Sequence, residues 1–463
     1  MKLTKLLTVL TMFFGGGTMA FGQAAASPRI HLETRNSAVV DQVGGGRLEF
    51  AGSQLRSTNF NPSVALDGRT MDFIYDSLRR DGTATVMTVY ETDEEGAVGL
   101  WQMGSGSNRA LWLNSQQVSY DNFAITYRKA TEQGVVIHTM LYQYPTVNGA
   151  YDGHDTLYVG REGGKEGEKN FCAMLYFPGK LDYRTQRQLE SALAIRYGAQ
   201  LHGPYVNSRS ETLWNPVGED SLYSFGVCGV GRDDRLSLLQ PKSKVRNGYL
   251  TIEMPNAVGD LTHVMMGHNG GAMDPGGELL TVDKVQYAVV GRQWKLRAHG
   301  DGESEQVRLG LDLKVPAAAV RLMLTRGDEV EIVAPKDADG LVFGNIDIKN
   351  GEEYIVSILV NPAALQQGTA DEGLTASASN ADFRVMVHPN PTSGRYTAEV
   401  SQSQEDVVTL MVQDATGRVV EQETTDGKVS QYSHSGVLNN TGVYYVTVSS
   451  NGKQKTIKVI VVK

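Results

Sequence analysis

Three carboxylates alternate along one short run, Glu91-Thr92-Asp93-Glu94-Glu95. On a β-strand successive side chains point to opposite faces, so Glu91, Asp93 and Glu95 would share one. Retaining glycoside hydrolysis needs two carboxyl groups about 5–5.5 Å apart, one as nucleophile and one as acid. The intervening residues argue otherwise. Thr92 and Glu94 stand where a buried catalytic strand would carry apolar side chains, and Gly96 follows at once. A solvated loop explains the run more simply.

Arg232-Asp233-Asp234 is a second polar cluster. Asp233 and Asp234 would offer oxygen ligands suited to calcium, the one cofactor the sequence suggests. The same residues read equally as Arg232 paired with one Asp while the other caps a turn. Asp67, in the Asp67-Gly68 turn, is a further oxygen donor of the same kind. His263 and His268 have no Glu between them in a His-Glu-x-x-His arrangement, which leaves them as structural histidines. Gly267-His268-Asn269-Gly270-Gly271 lacks the Lys-Ser/Thr ending of a phosphate-binding loop and reads as a turn. No Gly-x-Ser-x-Gly elbow appears, and neither cysteine lies in a catalytic motif.

Trp101 and Trp112 flank a Gly-Ser-Gly-Ser-Asn turn at 104–108 and are the candidate ligand-binding pair, since an exposed indole can stack on a sugar ring. The competing reading places them in a core, where an aromatic buries about 150–250 Å². Cys172 and Cys228 both fall in apolar strands. A disulfide between them requires Cα atoms within about 7 Å, and a pair of buried free thiols fits the same pattern.

The elements that must position these residues are short alternating segments: Arg47–Phe50, Thr83–Tyr90, Gly99–Met103, Ala124–Tyr127, Gly134–Tyr142, Thr156–Val159 and Asn170–Phe177. Turn signals such as Asp81-Gly82 and Asn148-Gly149 separate them, which predicts a β-sandwich. One segment, 182–198, is helical instead. Asp182 can cap its start, Leu189, Ala192, Leu193 and Tyr197 recur at helical spacing, and Gly198 stops it. A second β-rich block runs from 206 to 361, residues 362–382 lack a β pattern and read as a linker, and a last block of strands fills 383–463. The expected fold is all-β: a jelly-roll sandwich over 23–205 with one short helix, a second β-rich domain, and an Ig-like sandwich at the C-terminus.

Composition bounds the rest. Of 463 residues 51 are Gly, about 11 %, which suits many tight turns. A net charge of −9 argues against nucleic acid as a partner, because phosphate contact needs Lys and Arg. Residues 1–22 read as an export signal, with Lys2 and Lys5 ahead of an apolar run at Leu6–Phe14 and small residues at Ala20 and Gly22. That run is too short to span a bilayer. No cysteine follows the expected cut before Gln23, so no N-terminal lipid anchor is expected.

The last block resembles the C-terminal sorting domain of Bacteroidota type IX secretion cargo. Pro389-Asn390-Pro391 and Gly394 match its opening turn, and Asp414, Gly417 and Arg418 its central segment. Gly442, Tyr444, Lys458 and Lys463 match its closing strands. Asn439-Asn440-Thr441 departs from the family, which often has Pro there. The resemblance implies export to the outer-membrane surface or beyond. Its implied partners are a translocon, a sortase-like enzyme that cuts around Thr375–Asp382, and a lipopolysaccharide anchor. The first block resembles a LamG or concanavalin-like jelly roll, on Phe60-Asn61-Pro62-Ser63-Val64-Ala65-Leu66-Asp67-Gly68 and the 170–201 segment. The second resembles a β domain of unknown function in secreted Bacteroidota proteins, on Thr212-Leu213-Trp214, Phe225–Asp234, Gln240–Ser243 and Leu250–Ile252. The expected function is therefore a non-enzymatic surface protein that binds glycan, host or matrix ligands. The alternatives are a jelly-roll hydrolase using Glu91 and Glu95, or a structural surface or biofilm component.

Overall fold

The computed structural model describes residues 27–461 apart from 36, 51, 67–70, 77–81, 93–98, 106–107, 115–116, 121–122, 127–133, 144–153, 161–168, 245–247, 274, 337–340, 366–382, 389–391, 393, 415–417 and 451–452. Among the described residues the chain is all-β, with one helix longer than a single turn, Tyr183–Tyr197. None is long and apolar enough to cross a membrane.

The first sandwich has Thr83–Thr92 and Lys169–Pro178 at the centre of one antiparallel sheet, with Gly134–Gln143 on one flank and Ile30–Arg35, Ala38–Asp41 and Arg47–Glu49 on the other. A hairpin, Leu55–Thr58 with Asn61–Ala65, joins the same sheet through Lys169–Pro178. The facing sheet runs in the order Phe123–Thr126, Gln117–Tyr120, Asn108–Asn114, Gly99–Ser105, His154–Val159, Met71–Asp76. Period-two geometry sorts the side chains of Thr83–Thr92: Ala84, Val86 and Tyr90 enter the core between the sheets. Met87 and Val89 point the other way and are also buried. The strand therefore reads as an almost unbroken apolar run, because both of its faces are covered.

The cover is the helix. Asp182 accepts the Thr185 N–H at 2.9 Å, and Gly198, at φ 73°, closes the other end by donating to the Ala194 carbonyl. Leu189, Ala192, Leu193, Ile195 and Tyr197 pack against Met87, Val89, Leu175 and Phe177 below, and the same core takes in Leu213, Trp214, Val227, Leu238 and Met265 from above. The expected boundary at 205/206 thus runs through a shared core.

In the second sandwich the large sheet follows the order Leu238–Gln240, Phe225–Asp233, His263–His268, Val285–His299, Glu353–Val360, Val320–Arg326, Glu329–Val333. It packs on Lys242–Ser243, Leu250–Glu253, Ser304–Leu311 and Val342–Lys349 over a core that includes Trp294, Leu296, Leu309, Phe343 and Val356. The segment read as a linker opens with a helical turn, Pro362–Leu365. The C-terminal block folds as two sheets, Phe383–His388 with Arg395–Asp406 and Val429–Val437, and Val419–Thr424 with Thr409–Asp414, Gly442–Ser450 and Lys453–Val461. Val400, Leu410, Val446 and Val459 fill its core.

The disulfide that export would permit is not formed between Cys172 and Cys228, and both are buried. The strand direction explains it. Val227 points into the core that holds Cys172, whereas Cys228 points into the second sandwich. Burial pushes the Cys172 thiol far above the usual range and leaves it inert.

Candidate functional site

Glu91 lies on the helix-facing side of its strand, at the same parity as Met87 and Val89. Its Oε2 accepts from Thr58 Oγ1 at 2.8 Å and from Asn170 Nδ2 at 3.1 Å. Asp93 and Glu95 fall outside the described residues, as does Asp67. Trp101 is fully buried, donates from Nε1 to Thr88 Oγ1 at 3.0 Å, and meets Tyr142 edge-on. The backbone of Trp112 pairs with Gln102 and Ser119.

Asp233 and Asp234 serve different partners. Asp233 is fully buried and accepts from the Ser208 N–H at 2.7 Å and the Leu236 N–H at 3.3 Å. Asp234 is exposed and forms a two-pronged pair with Arg232, at 2.6 and 2.9 Å. Among the described residues no group of three His, Cys, Asp or Glu is placed to hold a metal ion. His263 is buried over Gly231, where any Cβ would meet the ring at 2.6 Å, and desolvation pushes it down to about 4. His268, stacked on Phe225, is lowered to about 4 by burial and then by Arg292.

Sequence reasoning missed two polar centres. The first is the junction of the two sandwiches. Asn59 and Phe60 form the two-residue tip of a hairpin with φ of 48° and 64°, the geometry of a type I′ turn. Asn59 Nδ2 reaches the Ile195 and Arg196 carbonyls at 3.1 and 3.0 Å, the free end of the helix. Asn59 Oδ1 accepts the Lys244 N–H at 2.8 Å, and Asn61 Nδ2 reaches Gln240 Oε1 at 2.9 Å. Three stretches that carry the family resemblances, around Asn61, around Tyr197 and around Gln240, therefore meet at one joint. Beside it Arg196 bridges Glu33, at 2.5 Å, to the Ser237 carbonyl, at 2.6 Å. Burial alone would raise the Glu33 carboxyl, but Arg196, His31 and Arg35 together hold it far below the usual range.

The second centre is built on Lys295. Its strand neighbours Trp294 and Leu296 face the core of the second sandwich, so Lys295 faces the segment 214–223 folded over the outside. Lys295 and Asp220 have side-chain exposures of 4 % and 0 %, and Lys295 Nζ lies 2.5 Å from Asp220 Oδ1. Nζ donates to Glu353 Oε1 at 2.9 Å, and it sits 5.4 and 5.9 Å from the ring centres of Trp214 and Tyr223. Arg297 Nη2 lies 3.0 Å from Asp220 Oδ1, while Asp220 Oδ2 accepts the Asn215 N–H at 2.7 Å. Gly267, paired with Lys295, makes this approach sterically feasible: a Cβ there would meet the Tyr223 carbonyl oxygen at 2.2 Å. In the sequence, Lys295 looks like any solvent-facing residue of an alternating strand.

The C-terminal sandwich carries the remaining predicted residues. Asp414 accepts the Arg418 N–H at 3.1 Å and pairs with Arg418 Nε at 2.9 Å, closing the central turn. Gly394 has φ 123°, and a Cβ there would strike the Leu438 carbonyl at 2.7 Å. Gly442 has φ 145°, and the buried Tyr444 donates to the Asn440 carbonyl at 3.1 Å. Lys458 belongs to the last strand, Lys453–Val461, which forms one edge of its sheet. Pro389, Asn390, Pro391, Gly417 and Lys463 lie outside the described residues. Residues 386–463 match the family model of the secretion system C-terminal sorting domain. The tail marks a type IX secretion cargo. Residues 185–352 match a second model, described as a domain of unknown function (DUF8202), which begins inside the helix rather than at 206. No curated protein matches the chain.

Solved structures give only distant likenesses. Botulinum neurotoxin serotype D binding domain is 10 % identical, with 91 % of this chain and 94 % of that one covered and a TM-score of 0.27. Latent PorU from Porphyromonas gingivalis is 12 % identical over 82 % of this chain and 29 % of its own, with a TM-score of 0.18. A β-glucuronidase from Faecalibacterium prausnitzii is 11 % identical over 35 % and 37 %, with a TM-score of 0.14. The alignment thus spans about a third of the latter two chains, and none of these likenesses speaks to activity.

Proposed function

We propose that the chain is a non-enzymatic surface protein. Type IX export would carry it across the outer membrane, a sortase-like enzyme would remove the tail around Thr375–Asp382, and a lipopolysaccharide anchor would hold it. Its two leading sandwiches, the first read as a LamG-like jelly roll, would then present glycan-, host- or matrix-binding loops. The observation that carries the proposal is the sorting tail at 386–463. Supporting the non-enzymatic reading, Glu91 is engaged by Thr58 and Asn170, and Trp101 is a core residue. Function on such a fold resides in loops, so the ligand follows from assay rather than architecture.

The test is binding of the protein harvested from the cell surface to glycan and matrix-protein arrays, with polysaccharide hydrolysis measured alongside. Saturable binding without hydrolysis is expected. Hydrolysis that disappears in Glu91→Gln would establish the jelly-roll hydrolase instead. Absence of any ligand, with self-association in light scattering, would favour a structural surface or biofilm role.

A further inference from the structure

We propose that Lys295 and Asp220 condense into an intramolecular isopeptide bond, with Glu353 as the proton relay. Amide formation between an amine and a carboxylate is unfavourable in water, largely because both ions are well hydrated. Here that hydration is gone: the carboxylate is fully buried, the ammonium is nearly so, and the Trp214 and Tyr223 rings lie around the nitrogen. A desolvated ion pair is the costly arrangement that a neutral pair replaces. Confinement at 2.5 Å also supplies the proximity that a bimolecular condensation lacks. Neither Lys295 nor Arg297 meets Asp220 Oδ1 at a hydrogen-bonding angle, although both are close to it.

The groups around the pair have the roles the reaction needs. Glu353 Oε1, 2.9 Å from Nζ, accepts a proton from the ammonium and leaves a neutral amine. Glu353 relays that proton to Asp220 Oδ1, and the amine attacks Cγ of the now neutral carboxyl group. Negative charge then develops on Oδ2, which the Asn215 N–H already holds at 2.7 Å, with Arg297 Nη1 at 3.4 Å. Oδ1, the oxygen beside Nζ and already protonated through Glu353, takes a second proton from nitrogen and departs as water. The Nζ–Cγ bond forms as the Cγ–Oδ1 bond breaks. An ammonium and a carboxylate become one secondary amide and one water, with no oxidant and no cofactor. The product ties the 214–223 segment covalently to the middle strand of the large sheet, a cross-link suited to a domain pulled at a cell surface.

Tryptic mapping of the folded full-length chain tests this directly. Lys295 in an amide is no longer a cleavage site, so residues 210–232 are expected joined to 293–297, one water lighter than the two together. Glu353→Gln, which keeps a hydrogen-bond partner for Lys295, is expected to fold with the peptides separate, as is Asp220→Ala if it folds. Recovery of free 210–232 and 293–295 in full from the folded wild-type chain would overturn the proposal. A cross-link of undiminished yield in Glu353→Gln would overturn the role of Glu353.

Discussion

Removal of the Asn59 side chain should weaken both sandwiches together. Its Nδ2 and Oδ1 join the helix end at Ile195 and Arg196 to Ser243 and Lys244 of the second sandwich, at 2.8 to 3.1 Å. Counting about three net bonds at about 1 kcal/mol each gives about 3 kcal/mol. Ala at φ 48° adds about 1 kcal/mol that Asn, tolerant of the left-handed region, avoids. Water reaching the part-exposed groups takes some of this back, so Asn59→Ala should cost about 3 kcal/mol. Asn59→Gly keeps the backbone relaxed and should cost about 2 kcal/mol, which isolates the hydrogen bonds. All four tryptophans precede residue 300, so tryptophan fluorescence, excited selectively over the tyrosines of the tail, is blind to that domain during urea unfolding. The wild-type chain should show one fluorescence transition, and Asn59→Ala one transition at lower urea. A cost under about 0.5 kcal/mol, or two separate transitions in the wild type, would refute a shared folding unit.

Three further outcomes follow from the same contacts. Stability should fall as pH drops from about 6.5 towards 4, because His263 is buried neutral at about 4 while the unfolded chain takes up the proton first; the loss reaches about 3 kcal/mol. Glu33 also loses its stabilisation as pH falls, but below the ordinary carboxylate value, so in urea titrations His263→Gln should make the pH 4–6.5 slope shallower and leave the share carried by His268, which burial also lowers to about 4. Trp101→Ala should cost about 3–5 kcal/mol, as a fully buried indole does, and Trp101 fluorescence should not respond to added glycan.

How much of this was legible in the sequence depends on whether the signal was local. The helix was readable because Asp182, the Leu189–Tyr197 spacing and Gly198 are all local, and the structure places it within a residue of that reading. Strands with clear turn signals, such as Thr83–Thr92 and Gly134–Gln143, were readable too. Ile30–Arg35 and Ala38–Asp41 were not, since His31, Glu33 and Asp41 are polar yet buried, held by Arg196 and the Val43 N–H, and so interrupt the continuous apolar run that marks a strand covered on both faces. The motifs around Asn61 and Gln240 were recognisable, but their meaning, a hydrogen-bonded joint 179 residues apart in sequence, is tertiary. Lys295 and Asp220, 75 apart, are joined by the same kind of long-range fold. Trp101 and Asp233 took the structural one of the two roles open to each, through Thr88 in one case and the Ser208 and Leu236 amides in the other.

The most direct test of the account is where the chain goes with and without its tail. In a bacterium with a working type IX system, the full chain should appear on the cell surface, and its mature form should lack peptides from 383–463. The chain ending at residue 382 should remain in the periplasm. Equal surface display of the two would contradict the assignment of the C-terminal sandwich as the sorting signal.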